Sequence, residues 1–205
     1  METKLLPVSP ESLRLAMEIL QVGGLVAFPT DTVYGVGALA FDGSAVASIY
    51  VAKDRPLEKS IPVLIADYAD LAKVAQSIPS MAETLARHFW PGPLTLVVPK
   101  DPRLPAAVTS TDTVGVRIPD HPITRDLLRL AGPMAVTSAN LSGEPNPSTA
   151  EAAYSQLGGR IALILDGGET PGGVPSTVVD CTGSEALVLR EGPIKKAEIQ
   201  ALLIG

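Results

Sequence analysis

The sequence predicts an α/β domain in which helices cover a mixed sheet. The chain of 205 residues is 46% hydrophobic and 19% charged, enough apolar material for a core. Segments with apolar residues at helical spacing alternate along it with short apolar runs, as in helix-covered sheets. Those runs are brief and lie close to turns, which favours a mixed sheet over a regular parallel one. No linker or low-complexity tract divides the chain, so residues 1–205 read as one domain.

Ser9, Pro10 and Glu11 open the first helix as cap, first-turn proline and first-turn acid. Leu13, Ala16, Met17 and Leu20 continue it on one face, and Gly23 and Gly24 end it. Residues 25–28 form a short strand. Residues 29–37 are a loop leading into more extended chain. Asp42 caps a second helix that ends near Lys53. Residues 61–65 are a strand, and two helical segments lie between Asp67 and His88. Residues 94–98, 114–118 and 134–136 read as buried strands, and residues 122–130 as a helix between the last two. Ser148 and Glu151 form a capping box for another helix. Strands at 161–165, 177–179 and 187–189 follow, then a last helix through Ile199 and Leu203. The tetrapeptide at 30–33 recurs at 111–114 without a fixed period, which marks no repeat.

Composition excludes several functions. The formal net charge is −6 and aromatics are 4%, so neither a basic nucleic-acid face nor a base-stacking platform is expected. A stable direct hold on RNA is therefore not expected. The longest uncharged stretch, residues 130–143, is too short for a membrane span and contains Pro133 and Asn140. The first residues have no signal-peptide core, which points to the cytoplasm. Cys181 is the only cysteine; its flank reads as a strand end, favouring a buried structural thiol over a nucleophile. His88 and His121 have no metal-ligand spacing, and no nucleophile elbow or phosphate-binding glycine loop is present. An enzyme built this way works by binding and electrostatics.

Its candidate site residues are hydroxyls and cations. Hydroxyl-rich loops follow the strands at 25–28 and 134–136, and another precedes Val178. Lys53 and Arg55, two apart as a helix gives way to extended chain, point to one side and can clasp a polyphosphate. Arg117 interrupts an apolar strand, where a charge is costly unless it is paired or reaches a site. Arg190 ends another strand in the same way.

The segments GLVAFPTDTVYG (24–35), KDRP (53–56), WPGPLT (90–95), VGVRIP (114–119), SANLSG (138–143) and GVPST (173–177) cover most of the chain in order. In this combination the chain resembles the YrdC-like family of threonylcarbamoyl-AMP synthases. The resemblance implies a twisted open mixed sheet flanked by helices, with a concave substrate cavity. It implies condensation of L-threonine, bicarbonate and ATP with Mg²⁺ to threonylcarbamoyl-AMP and pyrophosphate. A separate transferase complex would carry the product to tRNA position 37. By resemblance, Lys53 and Arg55 are catalytic and, with Arg190, face the nucleotide phosphates, while Thr113, Asn140 and Ser148 add hydrogen bonds. Arg117 takes the threonine carboxylate, with Thr32, Ser138 and Ser176 around the amino acid. No protein side chain is implied as a metal ligand. Longer family members carry a further C-terminal domain, so a chain ending at Gly205 is expected to be the short form. A sister group tends to deviate at K-x-R and S-x-N, and both motifs stand here. The rival readings are a non-catalytic RNA binder and a nucleotide-binding relative that makes no adenylate.

Overall fold

The computed structural model describes residues 2–171 and 173–204. Among the described residues, ten strands form one sheet: β1 (Lys4–Pro7), β2 (Val26–Phe28), β3 (Gly35–Leu39), β4 (Val63–Leu64), β5 (Leu94–Pro99), β6 (Thr113–Arg117), β7 (Met134–Ser138), β8 (Leu163–Asp166), β9 (Thr177–Asp180) and β10 (Leu187–Arg190). Their order is β1-β8-β2-β3-β7-β4-β6-β5-β9-β10. Parallel pairs (β1/β8, β2/β8, β4/β6, β5/β9) are interspersed with antiparallel ones, so the sheet is mixed as the short strands predict. Strand β1 has no counterpart in the sequence reading. Its four residues include Lys4 and Pro7, and an edge strand tolerates both because one side of it carries no ladder.

The helices are α1 (Pro10–Gln21), α2 (Gly43–Lys53), α3 (Leu71–Val74, entered through a 3-10 turn at Tyr68–Asp70), α4 (Ser80–Phe89), α5 (Pro122–Ala131), α6 (Ala150–Leu157) and α7 (Lys196–Ile204). Their caps explain their starts. Ser9 and Ser12 close a reciprocal capping box on α1, and Asp42 Oδ1 accepts from the Ser44 and Ala45 N–H groups at 3.0 and 2.9 Å. The expected box at Ser148 is shifted by one residue. Thr149 is the cap of α6, its Oγ1 accepting from Ala152 N at 3.2 Å, because the helix begins at Ala150.

Side-chain alternation divides the core into two layers. Ala27, Val36, Ile164, Leu96 and Val116 join α2, α4 and α6 on one face. Val26, Phe28, Leu163, Leu165 and Met134 face the other way, against Leu20 of α1 and Leu127 and Leu128 of α5. Helices α1 and α5 therefore cover only part of that second face. Over β6, β5 and β9, the residues Gly115, Thr95, Val97 and Val178 are left facing a cavity instead of a helix. Twist turns the bare half of a sheet into a concave floor.

Candidate active site

The cavity holds about 340 Å³, within the range of small-molecule sites. Sheet register assembles its walls. Gly35 pairs with Ser138, which sets the loops before β3 and after β7 side by side. Leu94 pairs with Thr177, which brings Ser176 to Thr95; their hydroxyls lie 2.8 Å apart. Six of the ten residues singled out in the sequence line the wall: Thr32, Arg55, Arg117, Ser138, Ser176 and Arg190. Thr30, Ser60 and Thr137 add hydroxyls that sequence reading did not single out.

Arg117 leaves β6 on the cavity side because Val114 and Val116 take the core side. Its side chain is 7% exposed and its fork is partly committed. Nε donates to Gly92 O at 3.0 Å, Nη1 to Thr32 Oγ1 at 3.2 Å and Nη2 to Asp31 Oδ1 at 2.5 Å. A guanidinium has five N–H groups, so two remain for a ligand. Asp31 was missed. Between Thr30 and Thr32 in a hydroxyl-rich loop it reads as an ordinary polar turn residue, and no local signal marks it. Its Oδ2 is buried and lacks a partner among the described residues.

Arg190 reaches the same cavity from the end of β10, with Nε and Nη2 donating to Ser176 O at 3.0 and 2.8 Å. Burial, then the positive charge of Arg117, pushes its pKa down, so both guanidiniums act in one electropositive space. Arg55 completes the trio and is held by the carbonyls of Lys59 and Ser60 at 3.1 and 2.9 Å. Among the described residues, the lining carries three arginines and no carboxylate, imidazole, thiol or amine. Such a wall binds anions and aligns them.

The other four candidates stand outside the wall. Lys53 is 1% exposed. As the last residue of α2 it lies one turn beyond the buried Ile49 and two beyond Val46, so its stem points inward. Its Nζ donates to Ser138 O at 2.5 Å and to Asn140 O. Burial, then the charge of Arg55, pulls the ammonium pKa down to about 7. The expectation that Lys53 and Arg55 share one side fails locally. The chain is still helical at Lys53, and Asp54 then turns through the left-handed region at φ 51°. Asn140 Nδ2 donates to the carbonyls of Leu141 and Glu144, both at 2.8 Å, and its buried Oδ1 has no partner among the described residues. Ser148 presents its carbonyl to the N–H and hydroxyl of Thr170 at 2.9 and 3.2 Å. Thr113 Oγ1 lies 3.1 Å from Thr111 Oγ1. Both copies of the repeated tetrapeptide make this same turn, the first hydroxyl accepting from the third residue's N–H (3.2 Å at Thr32, 3.4 Å at Thr113).

Cys181 is fully buried, and burial followed by the charge of Asp180 pushes its thiol up to about 12, which keeps it protonated. Cys181→Ala is therefore expected to leave the turnover rate within about twofold of wild type, since no thiolate forms near pH 7. A folded Cys181→Ala protein that has lost the wild-type turnover would restore the thiol as a nucleophile.

Comparison with known proteins agrees with this architecture. The Sua5/YciO/YrdC family model, described as "Telomere recombination", matches residues 18–192. The threonylcarbamoyl-AMP synthase of Pyrococcus abyssi is 45% identical over 193 residues, covering 93% of this chain and 57% of that protein. A putative threonylcarbamoyl-AMP synthase of Mycobacterium tuberculosis is 45% identical over 189 residues, covering 92% of this chain and 87% of that one. The crystal structure of P. abyssi Sua5 complexed with L-threonine superposes with a TM-score of 0.92 at 43% identity, covering 98% of this chain and 60% of that chain. The chain thus spans a little over half the length of the Pyrococcus relative. The family model reaches from α1 to just beyond β10 and so takes in the cavity and all six lining candidates; by sequence and by fold, this chain belongs to the Sua5/YciO/YrdC family.

Proposed function

We propose that this chain is an L-threonylcarbamoyladenylate synthase, joining L-threonine, bicarbonate and ATP into threonylcarbamoyl-AMP with release of pyrophosphate. The observation that carries the reading is the wall itself: three arginines and a set of hydroxyls around 340 Å³, with no carboxylate, imidazole, thiol or amine among the described lining residues to activate a hydroxyl as a nucleophile. The relatives' names and the threonine complex of the Pyrococcus protein support it.

The reaction needs alignment more than chemistry from the protein. Bicarbonate gives up its hydroxide, threonine's amine bonds to the carbon dioxide carbon, and the proton that the amine releases leaves with that hydroxide as water, so that a carbamate forms. A carbamate oxygen then attacks the α-phosphorus of ATP, the bond to the β-phosphate bridging oxygen breaks, and pyrophosphate leaves with that electron pair. The two uncommitted N–H groups of Arg117 hold the amino-acid carboxylate, while Thr32, Ser138 and Ser176 orient its polar atoms. Arg55 and Arg190 neutralise phosphate charge as it builds. Magnesium enters with ATP as part of the nucleotide substrate, held chiefly by phosphates and water. In this reading the adenylate passes to a separate transferase complex that modifies tRNA at position 37. No described helix is long and apolar enough to cross a membrane.

Mixing the protein with ATP, magnesium, threonine and bicarbonate should release pyrophosphate at a rate that collapses when either threonine or bicarbonate is omitted. Equal release without one of them would leave a nucleotide-binding relative that makes no adenylate.

A further inference from the structure

Lys53 is a buried amine with no acidic partner within 4.0 Å among the described residues. An ammonium taken from water must satisfy its N–H groups elsewhere. Here the acceptors are the carbonyls of Ser138 and Asn140. The backbone of Lys53 adds a third tie, its carbonyl accepting from Ser142 N at 2.8 Å. Three bonds from one residue thus fasten the 138–142 loop to the end of α2. That loop brings Ser138 to the cavity wall and carries the Oδ1 of Asn140, which has no partner among the described residues.

We infer that Lys53 is a positioning residue and not a phosphate contact: it clips the 138–142 loop so that the wall around Ser138 keeps the shape both substrates need. This rests on the functional reading above, and it departs from the role that the K-x-R motif implies for its lysine. The clip accounts for an amine buried at this position, because an apolar side chain at 53 would leave two inward carbonyls without donors. Arg55, on the wall, acts on the nucleotide directly.

The two roles separate in binding. Titration calorimetry is run on wild type, Lys53→Met and Arg55→Ala with L-threonine alone and with magnesium-ATP alone. Lys53→Met is expected to weaken both ligands by at least about tenfold, the scale of one lost charge-assisted contact, and Arg55→Ala to weaken only the nucleotide. A Lys53→Met protein that loses nucleotide but keeps threonine within about twofold makes Lys53 a phosphate contact and overturns the inference. A wild type that binds no threonine overturns the functional reading instead. A second measurement needs no variant. Brief reductive methylation of wild type, read by peptide mass spectrometry, should modify exposed Lys59 and Lys73 and leave Lys53 untouched with or without ATP. Labelling of Lys53 that ATP blocks overturns the clip whatever the variants do.

Discussion

Arg117→Met is expected to abolish threonine-dependent pyrophosphate release and to lower the melting temperature in the same protein. Arg117 and Asp31 form a buried pair, with side chains 7% and 12% exposed. Removing one member of such a pair strands the other charge and costs about 3–5 kcal/mol. For a chain of this size each kcal/mol is worth about 2–4 °C, so melting should fall by roughly 6–20 °C. Activity should fall separately, because the two free N–H groups of the fork are lost with the guanidinium. At about 1.5–3 kcal/mol for each charged contact, the specificity constant for threonine should drop by more than about a hundredfold. The double variant Arg117→Met/Asp31→Leu divides the two effects: removing both charges should recover most of the stability and none of the activity. Native melting and native rate in Arg117→Met would show that the pair neither supports the fold nor holds substrate.

Gly192→Ala should be as damaging, for a steric reason. A Cβ at Gly192 would lie 2.4 Å from Pro175 O, 2.6 Å from Thr177 N and 2.8 Å from Ser176 C, all backbone atoms. The two segments are also fastened together, with Gly192 N donating to the buried Thr177 Oγ1 at 2.9 Å and that hydroxyl donating to Ile194 O at 2.8 Å. An alanine methyl must therefore push back the strand entry that carries Ser176, whose carbonyl holds Arg190. A displacement near 1 Å at a positioning group costs about a hundredfold in rate, and overpacking adds about 1–3 kcal/mol of instability. Steady-state turnover and thermal melting together check this; a Gly192→Ala protein with the native rate would mean that residues 175–177 yield without disturbing the site.

The layered α/β plan, the mixed sheet and the starts of α1 and α2 were legible because they rest on local signals: apolar period, strand length and cap chemistry. Arg117 was legible for the same reason, a charge interrupting an apolar strand. The unread features depend on what the chain meets after folding. Asp31 is a polar loop residue until Arg117 arrives from 86 positions away. The spacing of Lys53 and Arg55 shows a clasp on extended chain and an inward clip on a helix end, and the left-handed turn at Asp54 decides between them. Gly192 reads as one more turn glycine until Pro175, Ser176 and Thr177 are laid against it. The one-residue slip from Ser148 to Thr149 follows from two adjacent hydroxyls, either of which can cap.

The strand order also governs how the chain survives its own synthesis. β1 pairs only with β8, joining Lys4 to Leu163, and one ladder of β5 waits for β9, joining Leu94 to Thr177. At about 5–20 residues per second, translation separates the first of these partners by roughly 8–30 s. During that interval β2 and β5 each have an unpaired edge, and the apolar surface that β8 will cover is open to other nascent chains. The stretch carrying Ser176 and Arg190 is thus also the one whose late arrival seals the sheet, so the last quarter of the chain closes its open edges and completes the cavity wall in the same step.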